Sequence, residues 1–179
     1  APKFLNRNLE TPIHLCLSYD EETGCVGVPR MLEYLAAQPA RPLACIVGEP
    51  TGMKVIVGHK GKLSCLCRVR GLECHSALAP QGVNAIQEAA RAIAKLAEMA
   101  ARKAAEGPFD EDYDVPHSTV HCGLVRGGTA LNIVPAECSF EFEFRCLPDD
   151  DPQALFAELK AYARDRLEPA MQAIAPETG

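Results

Sequence analysis

The sequence predicts an α+β chain in two parts, and three observations carry that prediction. Two short apolar runs flank one helical segment, and acidic residues stand directly after each run. From residue 63 onward the order is strand, helix, strand, strand, helix. In residues 136–145, Cys138, Phe140, Phe142 and Phe144 alternate with Ser139, Glu141 and Glu143. Period-two alternation marks a strand with one buried face and one wet face.

The first part opens with residues 13–18, an apolar run that reads as a buried strand. Residues 24–27 break the run, and residues 28–37 read as a short helix closed by Pro39 and Pro42. Residues 43–47 form a second apolar run between turn residues. Strand, helix, strand with short connections predicts a largely parallel β/α layer. Asp20, Glu21 and Glu22 follow the first strand, and Glu49 follows the second. Open α/β sheets bind ligands outside the carboxyl ends of their strands, which is where these acids fall.

The second part changes pattern beyond Pro50. Residues 55–57 and 63–69 read as strands, and residues 71–82 as a loop holding His75. Residues 84–105 form a long Ala-rich helix, with Ile86, Ala90, Ile93, Leu96, Ala97 and Ala100 near helical spacing. Gly107-Pro108 ends it, an acidic loop follows, and residues 119–125 read as a strand. A glycine turn at 126–130 leads to the alternating strand. Asp149-Asp150-Asp151-Pro152 then starts a helix running to about Leu167. The acids sit at the positive end of the helix dipole, and proline suits the first turn. This order is a split β-α-β unit without its last strand.

Composition narrows the function. The chain has 179 residues, 47% of them hydrophobic, which is enough to bury a core. A net charge of -6 without a basic block points away from nucleic acid and anionic membranes. Trp is absent, so stacking platforms for single strands are not expected. No apolar stretch approaches the roughly 20 residues that cross a bilayer. The start, Ala1-Pro2-Lys3-Phe4, does not read as a signal peptide, and the missing initiator Met suggests an excised segment. Nine cysteines lie mostly in strand-like runs, which reads as reduced thiols of a cytoplasmic protein rather than a disulfide framework. Cys65 and Cys67 have no second pair at zinc-ribbon spacing.

Four groups of residues carry candidate chemistry. Three adjacent acids, Asp20-Glu21-Glu22, repel one another unless a positive charge sits among them. A divalent metal would supply it, and hydrolysis also needs a free carboxylate as proton acceptor. Taken alone, such a triplet is more often a solvated acidic turn. Gly48-Glu49-Pro50-Thr51 holds a carboxylate at a strand end, where an exposed Glu in a turn is also common. His75, beside Ser76 and ahead of the long helix, suits polarisation of a carbonyl or an oxyanion, although a lone His is more often structural. Ser76 has no triad around it. Asn132, after Gly127-Gly128-Thr129, offers amide donors, and Arg145 offers a planar fork for a carboxylate.

The order of these motifs resembles one family. Asp20-Glu21-Glu22, Gly48-Glu49-Pro50-Thr51, His59-Lys60-Gly61, His75-Ser76, Asn84-Ala85-Ile86, Gly127-Gly128-Thr129, Asn132-Ile133-Val134-Pro135, and Arg145 with Pro148 together resemble the zinc aminoacylase/carboxypeptidase family over nearly the whole chain. The resemblance implies a fragment of an α/β zinc-peptidase catalytic domain over residues 1–61. It implies a ferredoxin-like, two-layer lid and dimerisation domain over residues 62–179. By the same resemblance Glu21 is the general base, Glu22 and Glu49 are zinc ligands, His75 serves the neighbouring subunit's site, and Asn132 and Arg145 bind substrate. Two zinc ions are implied, with cobalt as a substitute, and the homodimer forms through the lid. The family's His-x-Asp ligands upstream of the triplet and its later His ligand find no counterpart here, so the metal site is expected to be incomplete and the chain inactive alone. In the family's strand order the missing strand covers the first one. An open edge at residues 62–69, and self-association through it, are therefore expected. The implied substrates are N-acyl amino acids, and the stretch from Gly71 to Pro80 favours N-acetylornithine, in arginine synthesis. A desuccinylase or carboxypeptidase of the same family, or a non-catalytic dimerisation module, remains the alternative.

Overall fold

The computed structural model describes residues 7–39 and 41–179. It divides into two compact units, Ala1–Lys54 and Val55–Gly179.

In the first unit the helical expectation holds: α1 spans Val28–Ala36, with Pro29 in its first turn. The two apolar runs, however, form no strand. Among the described residues, 13–18 and 43–47 pair with nothing, and their side chains are exposed, with Leu17 82% and Ile46 96% accessible. The physical reason is that a buried parallel strand needs hydrogen-bonded neighbours and helices over both faces. An apolar run specifies a wish for burial, and the described part of this unit supplies no partner.

The second unit is an antiparallel sheet with helices on one face. Strands β1 (Gly61–Arg70), β3 (Thr119–Gly127) and β5 (Glu137–Cys146) form a sheet in the order β1-β5-β3. The expected strand at residues 55–57 does not form, and Val57 is 98% exposed. Cys138, Phe140, Phe142 and Phe144 of the central strand are all buried, as their alternation predicted, and Cys146 at its end is buried too. The three phenylalanine rings stack along the strand, with Phe142 and Phe144 edge to face at 5.6 Å.

Helix α2 (Ala85–Glu106) covers that face with Ala85, Ala89, Ala92, Leu96 and Met99. Alanines on this stripe let the helix axis approach the phenylalanine ladder. Asn84 caps it, accepting a hydrogen bond at 3.1 Å from the Gln87 amide. Helix α3 (Pro152–Tyr162) starts where the acid-proline motif placed it, with Asp151 Oδ1 accepting from the Gln153 amide at 2.8 Å. Its continuation passes through a π-helical turn, Ala163–Leu167, into α4 (Glu168–Gln172), so the helical segment outruns the expected end. Glu158 of α3 ties the two helices together by receiving Arg102 and Lys95 of α2.

A second, two-residue ladder joins β2 (Cys74–His75) to β4 (Ile133–Val134). Among the described residues, the side of β1 away from β5 is unpaired over residues 61–69. Arg70 meets a neighbour there, exchanging backbone hydrogen bonds of 2.8 and 3.0 Å with Gly179. The far side of β3 is likewise unpaired among the described residues, so the expected open edge along β1 is accompanied by a second. No helix among the described residues is long and apolar enough to cross a membrane.

Candidate active site

The acidic triplet folds into a tight turn. The Cys25 and Gly24 amides donate to the Glu21 carbonyl at 2.9 and 3.1 Å, and Asp20 takes a left-handed φ of 54°. This turn leads directly into α1. Gly27 packs so close to Tyr19 that a Cβ there would lie 2.4 Å from the Tyr19 carbonyl oxygen. Glu21 and Glu22 remain exposed, as does Glu49, whose carbonyl accepts from the Thr51 amide at 2.8 Å. Among the described residues no three His, Cys, Asp or Glu side chains gather where they would hold a metal ion. Zinc sites use three or four protein ligands, so the donor set present does not fit a complete zinc site.

The His75 corner is built by backbone pairing. Leu72 and Val83 bond each other, closing the loop on itself, and the Ser76 amide donates to the Asn132 carbonyl at 2.9 Å. His75 stands opposite Ile133 in the short ladder. Asn132 and His75, 57 positions apart in sequence, are thus neighbours. The loop depends on glycine: a Cβ on Gly71 would meet the Val83 carbonyl at 2.0 Å, and one on Gly82 the Cys74 sulfur at 2.6 Å.

The imidazole itself has a defined polarity. Its Nδ1 accepts a hydrogen bond from the Ala77 amide at 3.1 Å. An N–H donor at Nδ1 requires a bare nitrogen there, so the ring proton sits on Nε2. His75 is exposed. A neutral imidazole in this tautomer is a donor suited to a carbonyl or oxyanion.

Arg145 lies at the other end of the sheet. The His75 corner adjoins the start of β5, where the Gly71 amide donates to the Ala136 carbonyl at 2.7 Å. Arg145 is near the opposite end of that strand, paired with Lys62 on one side and Thr119 on the other. The rise of about 3.4 Å per residue puts roughly 27 Å between Glu137 and Arg145. A small substrate cannot touch His75 and Arg145 of the same chain. The structure therefore brings His75 and Asn132 together and keeps Arg145 apart from both.

Residues 57–171 match the family described as peptidase dimerisation domain. The chain belongs to this family. It is similar to the acetylornithine deacetylase of Myxococcus xanthus, 34% identical over 167 residues, covering 92% of this chain and 43% of that protein. It is similar to the acetylornithine deacetylase of Edwardsiella ictaluri, 36% identical over 142 residues, covering 78% of this chain and 36% of that protein. The chain thus spans less than half the length of these relatives. Among solved structures it is similar to the aminopeptidase PepT of Bacillus cereus, with 27% identity, a TM-score of 0.41, and coverage of 58% of this chain and 27% of that one.

Sequence reasoning missed two residues of this dimerisation-domain chain that touch the candidate site. Arg145 Nε donates to Glu143 Oε1 at 2.8 Å, and Lys62 Nζ lies 3.5 Å from Glu143 Oε2. The Arg145 guanidinium, with Lys62 behind it, holds the Glu143 carboxyl below the usual glutamate range. The signal was present: Glu143 and Arg145 are two apart on a strand, so they share its wet face.

Proposed function

We propose that this chain is the middle part of a metal-dependent amidohydrolase that deacylates N-acyl amino acids, N-acetylornithine foremost, in cytoplasmic arginine synthesis. The observation that carries the reading is the likeness to acetylornithine deacetylases over most of this chain. In this reading residues 1–61 belong to the catalytic domain and residues 62–179 to the lid. Residues 13–18 and 43–47 become strands once the rest of that catalytic sheet lies beside them.

Glu21 takes a proton from the attacking water and returns it to the leaving amine, a role that suits a carboxylate kept free of ligation. Glu22 and Glu49 would be two carboxylate ligands of a metal site that this chain does not complete by itself; the metal, two zinc ions or cobalt in their place, would supply a Lewis acid to the scissile carbonyl. Arg145 grips the substrate carboxylate. His75, through Nε2–H, and Asn132, through its amide, donate to the oxygen on which charge develops.

The separation of Arg145 from the His75 corner supports a division of labour between two copies. In this reading one copy lends His75, with Asn132 beside it, to its partner, and Arg145 of the same copy serves a different site. A family named for dimerisation and two unpaired sheet edges are consistent with a homodimer. Turnover of N-acetylornithine by the full-length protein with added zinc or cobalt tests the reading. The expected result is deacetylation that falls by about 10²-fold or more in Glu21→Gln. No turnover by the full-length protein sinks it, and preference for an N-succinyl substrate moves it to the desuccinylase branch. The chain of 179 residues alone should be inactive.

A further inference from the structure

We propose that Glu143 is a positioning residue: it clasps Arg145 and Lys62 together on the wet face of the sheet and turns the Arg145 fork outward, to receive the carboxylate of an amino-acid substrate. The inference rests on the reading of Arg145 as the carboxylate-binding residue.

The geometry begins with the sheet register. Lys62 and Arg145 are directly opposed on β1 and β5, so two cations project side by side from one face. Like charges opposed across strands repel. Glu143, two residues before Arg145 on the same face, lies between them and uses a different oxygen for each. Its row continues to His121 on β3 and Ser64 on β1. The group Lys62, Glu143 and Arg145 carries a net charge of one positive unit, which matches a single carboxylate.

The contact atom matters more than the charge. A guanidinium has five N–H donors, and a carboxylate is best held by two parallel ones. Glu143 takes the Nε–H, the donor nearest the chain. The paired terminal nitrogens have no hydrogen-bond partner among the described residues and form the free end of the fork. Arg145 is 45% exposed, and the bond to Glu143 ties the side chain down as far as Nε while leaving the terminal nitrogens free for a ligand. Holding a flexible side chain in its bound geometry before the ligand arrives removes an ordering cost from binding.

Positioning and simple electrostatics predict opposite signs. If Glu143 acts only as a negative charge near the carboxylate site, Glu143→Ala tightens substrate binding. If it positions Arg145, Glu143→Ala loosens it. In the full-length enzyme, Glu143→Ala should raise KM for N-acetylornithine roughly 3–10-fold, with kcat changed much less and the melting temperature lowered only slightly, as for the loss of a surface ion pair. Glu143→Gln keeps a carbonyl oxygen for Nε–H and should restore KM close to the parent value. In an Arg145→Ala background Glu143→Ala should add nothing, because its target is gone. An unchanged or lowered KM in Glu143→Ala, while Arg145→Ala binds poorly, overturns the positioning role and leaves the deacylase reading standing. An unchanged KM in Arg145→Ala overturns the role of Arg145 itself, and this inference with it.

Discussion

The phenylalanine ladder of β5 is the keystone of the second unit, and Phe144→Ala tests how much it carries. Phe144 is 0% exposed, lies between Leu63 and Val120 on the flanking strands, and meets Phe142 edge to face. Truncating a buried phenylalanine loses its transfer free energy and leaves a cavity, together about 3–5 kcal/mol. Unfolding entropy near 2.1 cal/mol/K per residue gives roughly 0.26 kcal/mol/K for a unit of this size. The 125 residues of Val55–Gly179 should therefore melt about 11–19 °C lower in the variant. The assay is thermal unfolding followed by circular dichroism. Glu141→Ala is the control: same strand, opposite face, an exposed partner of Arg126 at 3.2 Å. Such a pair contributes at most about 1 kcal/mol, or a shift below about 4 °C. A Phe144→Ala shift no larger than that of Glu141→Ala would refute the assignment of the buried face.

Two further outcomes follow from named contacts. Arg102, then Lys95, hold the Glu158 carboxyl below its ordinary value of 4.5. A depressed carboxyl stabilises the fold above its unfolded value, and that contribution is lost as pH falls through the lower folded value. Glu158→Gln should thus melt below the parent at neutral pH, and the gap should close on acidification; a gap that persists unchanged in acid contradicts the linkage. Asn84→Ala removes the cap of α2 and should cost about 1 kcal/mol, whereas Asn84→Asp should be nearly neutral. Equal melting of parent and Asn84→Ala would show the cap to be idle.

Legibility differed by the kind of information each element needs. Strand β5 was readable because its alternation encodes both the extended backbone and the buried face. The start of α3 was readable because Asp151 and Pro152 act locally, through one cap hydrogen bond and one fixed φ. Residues 13–18 and 43–47 failed as strands because a strand is a relation between segments, and an apolar run does not say who its partner is. The π-helical turn at Ala163–Leu167 left no mark in a helical pattern that reads the same on both sides of it. At the candidate site, each residue type was legible but the arrangement was not. His75 and Asn132 meet through a two-residue ladder too short to carry periodicity. The distance from that corner to Arg145 required the register of β5. Glu143 was missed for a simpler reason: it lay in the alternating pattern as a generic wet-face residue, two positions from the arginine it holds.

The central claim is that each copy of this chain lends His75 to a neighbour while keeping Glu21 for itself. Two inactive variants of the full-length enzyme test it most directly. His75→Ala and Glu21→Gln homodimers are each expected to be inactive. When equal amounts are dissociated and reassembled together, half of the dimers pair one of each, and one of the two sites in every mixed dimer has both residues intact. Activity should return to about a quarter of the parent level. Mixtures that stay as inactive as the separate variants, although mass spectrometry shows mixed dimers, would place His75 and Glu21 in the same subunit's site and contradict the account.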